Sequence, residues 1–201
     1  SNPTKILAAA VNYRDHSSKE HELPKKPELF IKLPSSIVGQ SNPIILPEDA
    51  GRVDAEGELV AVIGKKCSKV SPEEALSFVL GYTCGNDVSA RDWQRDDTQW
   101  WRAKSTDTFT SVGPYITTNL DPDNLELEVT INGKRIQAAN TSQLVFDVAS
   151  LISFASQSIT LEEGDLIFTG TPGTTSAMEP GDVVDVTIEG IGKLSNPIRS
   201  S

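Results

Sequence analysis

Histidine and cysteine are scarce in this chain, two of each in 201 residues, and several larger features are missing altogether. Cys67 and Cys84 have no C-x-x-C spacing. A disulfide framework is therefore not expected, and both read as reduced thiols of an intracellular protein. No apolar run approaches the length of a membrane span, and no signal-peptide pattern opens the chain. The expectation is a cytoplasmic protein, with the mitochondrion open, that has no membrane partner. There is no low-complexity tract and no internal repeat, and the G-x-x-x-x-G-K-[ST] pattern of a phosphate loop is absent. Basic residues are outnumbered as well. With 18 Lys and Arg against 28 Asp and Glu, the formal net charge is −10. That argues against nucleic acid as a general partner and leaves room only for a local pocket that takes a small anion.

What is present suits a folded chain. Hydrophobic residues make up 37% and charged residues 23%, enough for one sizeable core in a single domain over 1–201. An N-terminal segment, residues 1–50, has a possible lid, and residues 51–201 form the core. A short strand is expected from Lys5 to Val11, and FIKLPSSIVG and PIILP read as extended pieces punctuated by proline. SPEEALSFVLG carries Ser71 as N-cap, Pro72 at the first helical position, Glu74 to complete a capping box and Gly81 as the stop, so it predicts a helix. LELEVTINGKRIQ alternates around Asn132-Gly133 and predicts a hairpin. Apolar residues at helical spacing predict an amphipathic helix over 144–156. The turns EEGD and EPGD each launch an apolar strand. Trp93, Trp100 and Trp101 are expected to pack around irregular backbone. The pattern predicts a mainly β architecture with a few helices.

Chemistry concentrates in four places. In VDAEGELVAVIG an apolar strand begins with Asp54, Glu56 and Glu58, three carboxylates on one face of an extended chain. Either solvent separates them at a strand end, or two of them are part of a site for a hard cation such as Mg²⁺ or Mn²⁺. Asp87, just past another apolar segment, is the best further ligand. His16 has Glu20 four residues on, a spacing at which a carboxylate supports a basic imidazole; the alternative is a surface histidine. Lys104 follows an aromatic pair and is either an oxyanion-binding charge in a partly dry pocket or a solvated lysine. TGTPGTT, residues 169–175, offers N–H groups and hydroxyls to an anion, or is an ordinary tight turn.

The order NYRDH, FIKLPSS, E-x-E-L-x-x-V-I-G, GYTCGNDVSARDWQ, KSTDTF and TGTP resembles the fumarylacetoacetate hydrolase family from Asn12 to about Gly192. It is most similar to the short members that act on acylpyruvates or oxaloacetate. The resemblance implies a mixed β-roll fold, a homodimer and one Mg²⁺ or Mn²⁺ held by Glu56, Glu58 and Asp87, with Asp54 a neighbour. It implies a base dyad of His16 and Glu20, substrate contacts from Lys104 and Gln94, and Thr171 near the substrate carboxylate. One departure stands out: the third position after the histidine, commonly Glu, is Lys19 here. The implied activity is metal-dependent C–C cleavage of a 2,4-dioxo or β-keto acid to pyruvate, with isomerisation or hydration of unsaturated 2-keto acids as the alternative.

Overall fold

The computed structural model describes residues 3–14 and 23–201. The chain runs through β1 (Ile6–Ala9), β2 (Leu29–Lys32), β3 (Ile37–Val38), β4 (Ile44–Leu46), β5 (Val53–Ala55) and β6 (Gly57–Ile63). Then come α1 (Pro72–Ala75), β7 (Val79–Asp87), β8 (Ser89–Ala90), α2 (Arg91–Asp96), α3 (Trp101–Ser105) and β9 (Thr110–Thr117). The last third holds β10 (Glu126–Ile131), β11 (Lys134–Asn140), α4 (Val148–Ser158), β12 (Leu166–Phe168), β13 (Ser176–Ala177), β14 (Val183–Ile188) and β15 (Gly192–Ser200). The mainly β expectation holds.

Seven strands form one sheet in the order β2-β1-β12-β6-β7-β9-β3, five form a second in the order β11-β10-β14-β15-β4, and three short ones pair as β13-β5-β8. The period of two in β6 decides what lies on each side of the large sheet. Leu59, Ala61 and Ile63 join the main core with Val129 and Val186 of the second sheet and with Leu151 and Ile152 of α4. Val60 and Val62 point the other way and pack with Ile6, Ala8, Leu166 and Phe168. Glu58 follows the same alternation, so it emerges on the Val60 side, away from the main core.

The two E-x-G-D turns fold alike. Glu162 N–H donates to Asp165 Oδ2, and Glu179 N–H to Asp182 Oδ2, each at 2.7 Å, just before β12 and β14. Asn132 and Gly133 turn the β10–β11 hairpin as expected.

Three expectations are corrected. The helix begun by the Ser71–Glu74 capping box ends at Ala75, continues as a 3₁₀ turn over Leu76–Phe78, and gives way to β7. Gly81 is therefore not a helix stop but a strand residue: a Cβ there would lie 2.5 Å from the Thr117 carbonyl oxygen of β9. The tryptophans sit on or beside helices, and Trp101 is 61% exposed rather than packed. The amphipathic helix starts at Val148, because Asp147 caps it by accepting the Ser150 N–H at 2.7 Å.

Candidate metal centre

Strands β6 and β7 assemble the acidic cluster through their register. Gly57 pairs with Asn86 and Glu58 with Gly85, so residue 56 stands opposite Asp87, with Glu58 two residues along on the same face. The Glu56 backbone is tied twice to β7: its N–H donates to Asn86 Oδ1 at 2.9 Å, and its carbonyl accepts the Asp87 N–H at 2.8 Å. Ligand oxygens of Glu56, Glu58 and Asp87 lie within 4.8 Å of one another. All three residues are buried, at 5%, 1% and 1% exposure, which excludes a solvated strand end. Asp54 stands apart from the three. Its carboxylate accepts from Arg52 Nε, Arg91 Nε and Thr175 Oγ1 at 2.6 to 2.9 Å.

Three cations converge on the cluster. Lys104, from α3, places Nζ 2.7 Å from both Glu56 Oε2 and Asp87 Oδ2 and lies over the Phe30 ring, 5.0 Å from its centroid. The partly dry environment expected of this lysine is present, with Phe30 packed edge-on against Trp100. Arg91 Nη2 pairs with Glu56 Oε1, and Arg91 Nη1 donates to Gln94 Oε1 at 2.8 Å. Lys32, at the end of β2, is fully buried and bonds Asp87 Oδ1 and the carbonyls of Lys104 and Phe109.

These contacts set the charge states. Burial alone would raise Glu56, but the Lys104 ammonium and the Arg91 guanidinium hold it down at about 2. Burial would lower Lys104, and Asp87 and Glu56 override it, so Lys104 stays an ammonium and acts as a fixed charge. Glu58 goes the other way. Burial, and then the neighbouring Asp87 and Glu56 carboxylates, push it well above the usual carboxylate range. Glu58 accepts the Gly170 N–H at 2.6 Å, yet it makes no ion pair among the described residues. An all-oxygen set with one uncompensated buried carboxylate suits a hard divalent cation, which could be held by Glu56, Glu58 and Asp87.

The remaining expected residues divide. Gln94 lies on α2, half-buried and oriented by Arg91. Thr171 is buried beside Gly57, and its hydroxyl donates to the Gly57 carbonyl and accepts from Gln137 Nε2, both at 2.9 Å. With its proton so engaged, that hydroxyl can accept from a ligand but not donate to one. His16 and Glu20, with Lys19, lie outside the described residues. Sequence reasoning gave no role to Lys32, Arg91 or Gln137. The available signal for Lys32 was a lysine on the same strand face as Phe30, inside an otherwise apolar piece. Cys67 and Cys84 are both buried, and burial pushes Cys84 up to about 12, which leaves an inert thiol. No helix among the described residues is long and apolar enough to cross a membrane.

Comparison with known proteins fits this geometry. A mitochondrial oxaloacetate tautomerase of Xenopus laevis is 42% identical over 210 residues, covering 98% of this chain and 66% of that protein. The crystal structure of a 5-carboxymethyl-2-hydroxymuconate delta-isomerase from Mycobacterium smegmatis superposes with a TM-score of 0.95 at 45% identity, over 100% of this chain and 80% of that one. A maleylpyruvate hydrolase from a Sphingobium species gives 0.88 at 33% identity, over 100% and 72%. The sequence model of the fumarylacetoacetate (FAA) hydrolase C-terminal region matches residues 5–199, so the chain belongs to the fumarylacetoacetate hydrolase family, whose members are enzymes.

Proposed function

We propose that this chain is one catalytic domain that converts a small 2-oxo acid with the help of Mg²⁺ or Mn²⁺ held by Glu56, Glu58 and Asp87. The observation that carries the proposal is the convergence of three buried carboxylates beside a buried, protonated lysine. When bound, the cation supplies charge stabilisation to a 2-keto oxygen as it becomes enolate-like. Lys104 and Arg91 supply fixed positive charge for a substrate carboxylate, and Gln94, oriented by Arg91, supplies a donor. The buried setting strengthens each of these interactions relative to water. Thr171 holds the loop that faces the substrate, with its hydroxyl proton given to the Gly57 carbonyl.

Two outcomes share this chemistry. Tautomerisation or isomerisation needs charge stabilisation and proton movement only, and the Xenopus laevis and Mycobacterium smegmatis relatives carry such names. We rank it first. Cleavage of a C–C bond to give pyruvate, by acylpyruvate hydrolysis or oxaloacetate decarboxylation, is the second reading. The motif order and the Sphingobium hydrolase favour it. Hydrolysis needs a deprotonated water, the role given to His16 with Glu20.

The deciding measurement follows the enol band of oxaloacetate, with pyruvate release from oxaloacetate and acetylpyruvate in parallel, under Mg²⁺, Mn²⁺ and chelator. Metal-dependent enol decay without pyruvate is the expected result. Metal-dependent pyruvate release from acetylpyruvate would establish cleavage, and His16→Ala should then reduce it far more than it reduces enol decay. Inactivity in every arm overturns the proposal.

The proposal includes a homodimer in the cytoplasm or mitochondrion. Exposed Tyr115 and Ile116, at an apolar groove of about 760 Å³ that also meets Pro34, Ile37, Val62 and Leu166, support it. Sedimentation as a monomer at micromolar concentration would remove that part.

A further inference from the structure

Gln137 belongs to β11 in the five-stranded sheet, yet its side chain, only 5% exposed, is used entirely on the other sheet and its loop. Its Oε1 accepts the Gly57 N–H at 3.1 Å. Its Nε2 donates to Thr171 Oγ1 at 2.9 Å and to the Pro172 carbonyl at 2.6 Å. Thr171 Oγ1 in turn donates to the Gly57 carbonyl at 2.9 Å. Gly57 is the residue between Glu56 and Glu58. Its N–H is held by Gln137 and its C=O by Thr171, and Gln137 and Thr171 hold each other. The three close a ring in which every hydrogen has one direction. A flipped amide would set NH₂ against the Gly57 N–H and an oxygen against the Pro172 carbonyl, so the orientation is fixed.

The same hairpin presses on Gly57 from below. Val129, the cross-strand partner of Gln137, has its Cγ2 2.2 Å from where a Gly57 Cβ would lie. Only glycine lets the second sheet come this close under the acidic pair.

We propose that Gln137 is a positioning residue of the cation site. It fixes the peptide between Glu56 and Glu58, and with it the separation and aim of their carboxylates. It also couples that peptide to the TGTP loop, whose Gly170 N–H meets Glu58. The inference rests on reading Glu56, Glu58 and Asp87 as a cation site, and its test is binding of the metal alone.

The experiment titrates the full chain with Mn²⁺, read by the paramagnetic resonance signal of free Mn²⁺ and by calorimetry, alongside thermal unfolding. Gln137→Met keeps the length of the side chain and removes the bonds. Thr171→Val opens the ring elsewhere with little change of shape. Asn196→Ala is the control: a fully buried amide that also makes three bonds, to Ser111, Gly39 and Asn42, none of them to a residue of the ring or to one of the three carboxylates. The expected result is Mn²⁺ binding weakened about 10-fold or more by Gln137→Met and by Thr171→Val. Asn196→Ala should lower the melting temperature and leave Mn²⁺ affinity unchanged. Should Gln137→Met fail to fold, Thr171→Val reads the same ring. Wild-type affinity in either folded ring variant overturns the inference while the cation site stands, and so does equal weakening in Asn196→Ala. A wild-type chain that binds no Mn²⁺ overturns the site and the inference together.

Discussion

At the scale of single residues, buried charge is tolerated here only where it is saturated with partners. Asp165 illustrates the rule far from the acidic cluster. Its carboxylate accepts from the N–H and hydroxyl of Thr4, the N–H and ammonium of Lys5, and the N–H of Glu162, at 2.5 to 3.0 Å. Burial would raise it, but these donors, Lys5 foremost, hold it below the usual carboxylate range. Because the folded value is the lower one, the stabilisation is complete above the unfolded carboxylate value of about 4 and is lost as pH falls through the folded value. Asp165→Ala is expected to cost about 2–4 kcal/mol at neutral pH, since several donors lose their acceptor at once. Urea unfolding of both proteins across pH 2.5–7 should show the difference shrinking only at the acid end. A constant difference would mean that packing, not charge, dominates. Lys32 obeys the same rule in reverse: Lys32→Ala takes a buried donor from Asp87 Oδ1 and from the Lys104 carbonyl and should cost about 3–5 kcal/mol by the same assay. A loss below about 1 kcal/mol would show that Lys104 compensates for it.

At the scale of elements, local chemistry is legible where one signal acts alone and fails where a tertiary neighbour decides. The E-x-G-D turns carry their capping hydrogen bonds within four residues, and the Asn132-Gly133 turn needs two adjacent residues at positive φ, so the sequence predicts them. The bonds of Asn132 to Asp182 and Val183, by contrast, are tertiary. The Ser71–Glu74 box correctly starts a helix. Nothing local says that the chain must leave it at Ala75, because that is dictated by β6 and β9 capturing residues 79–87 as a central strand. Glycine at 81 fits both readings, and only the Thr117 carbonyl distinguishes them. Gly81→Ala is therefore expected to destabilise by about 1–3 kcal/mol, since the clash is with backbone. Chemical denaturation measures it. A stabilised or neutral variant would contradict the strand placement. Asp147 is a complementary case. The periodicity over 144–156 located the helix and missed its start, which the cap fixes, and Asp147→Ala should lower stability by about 1 kcal/mol.

At the scale of the whole molecule, the acidic triad was legible because two of its members lie two apart on one strand and the third closes a neighbouring one. Their compensation was not, since Lys32 and Arg91 reach them from β2 and α2. This division has an energetic consequence. Glu56 and Asp87 are paired with the protein's own cations, while Glu58 has no such partner among the described residues, and burial and its two acidic neighbours oppose its ionisation. A divalent cation bound by the folded chain and not by the unfolded one should therefore stabilise it by mass action, about 2.7 kcal/mol at a hundredfold excess over Kd. For a chain of this size that corresponds to a rise in Tm of about 5–11 °C, reversed by chelator. The three carboxylates also differ in what their variants should do. Glu58→Gln replaces a carboxyl whose ionisation the fold opposes by a neutral amide, so it should raise the stability of the metal-free protein while abolishing the Mn²⁺-induced rise. Asp87→Asn abolishes the rise too, but it leaves Lys32 and Lys104 facing a weaker partner and should lower metal-free stability. If scanning calorimetry found both variants shifted in the same direction without metal, the uneven neutralisation of the three carboxylates would be wrong. A shared loss of the Mn²⁺ effect would then mark only a common ligand role.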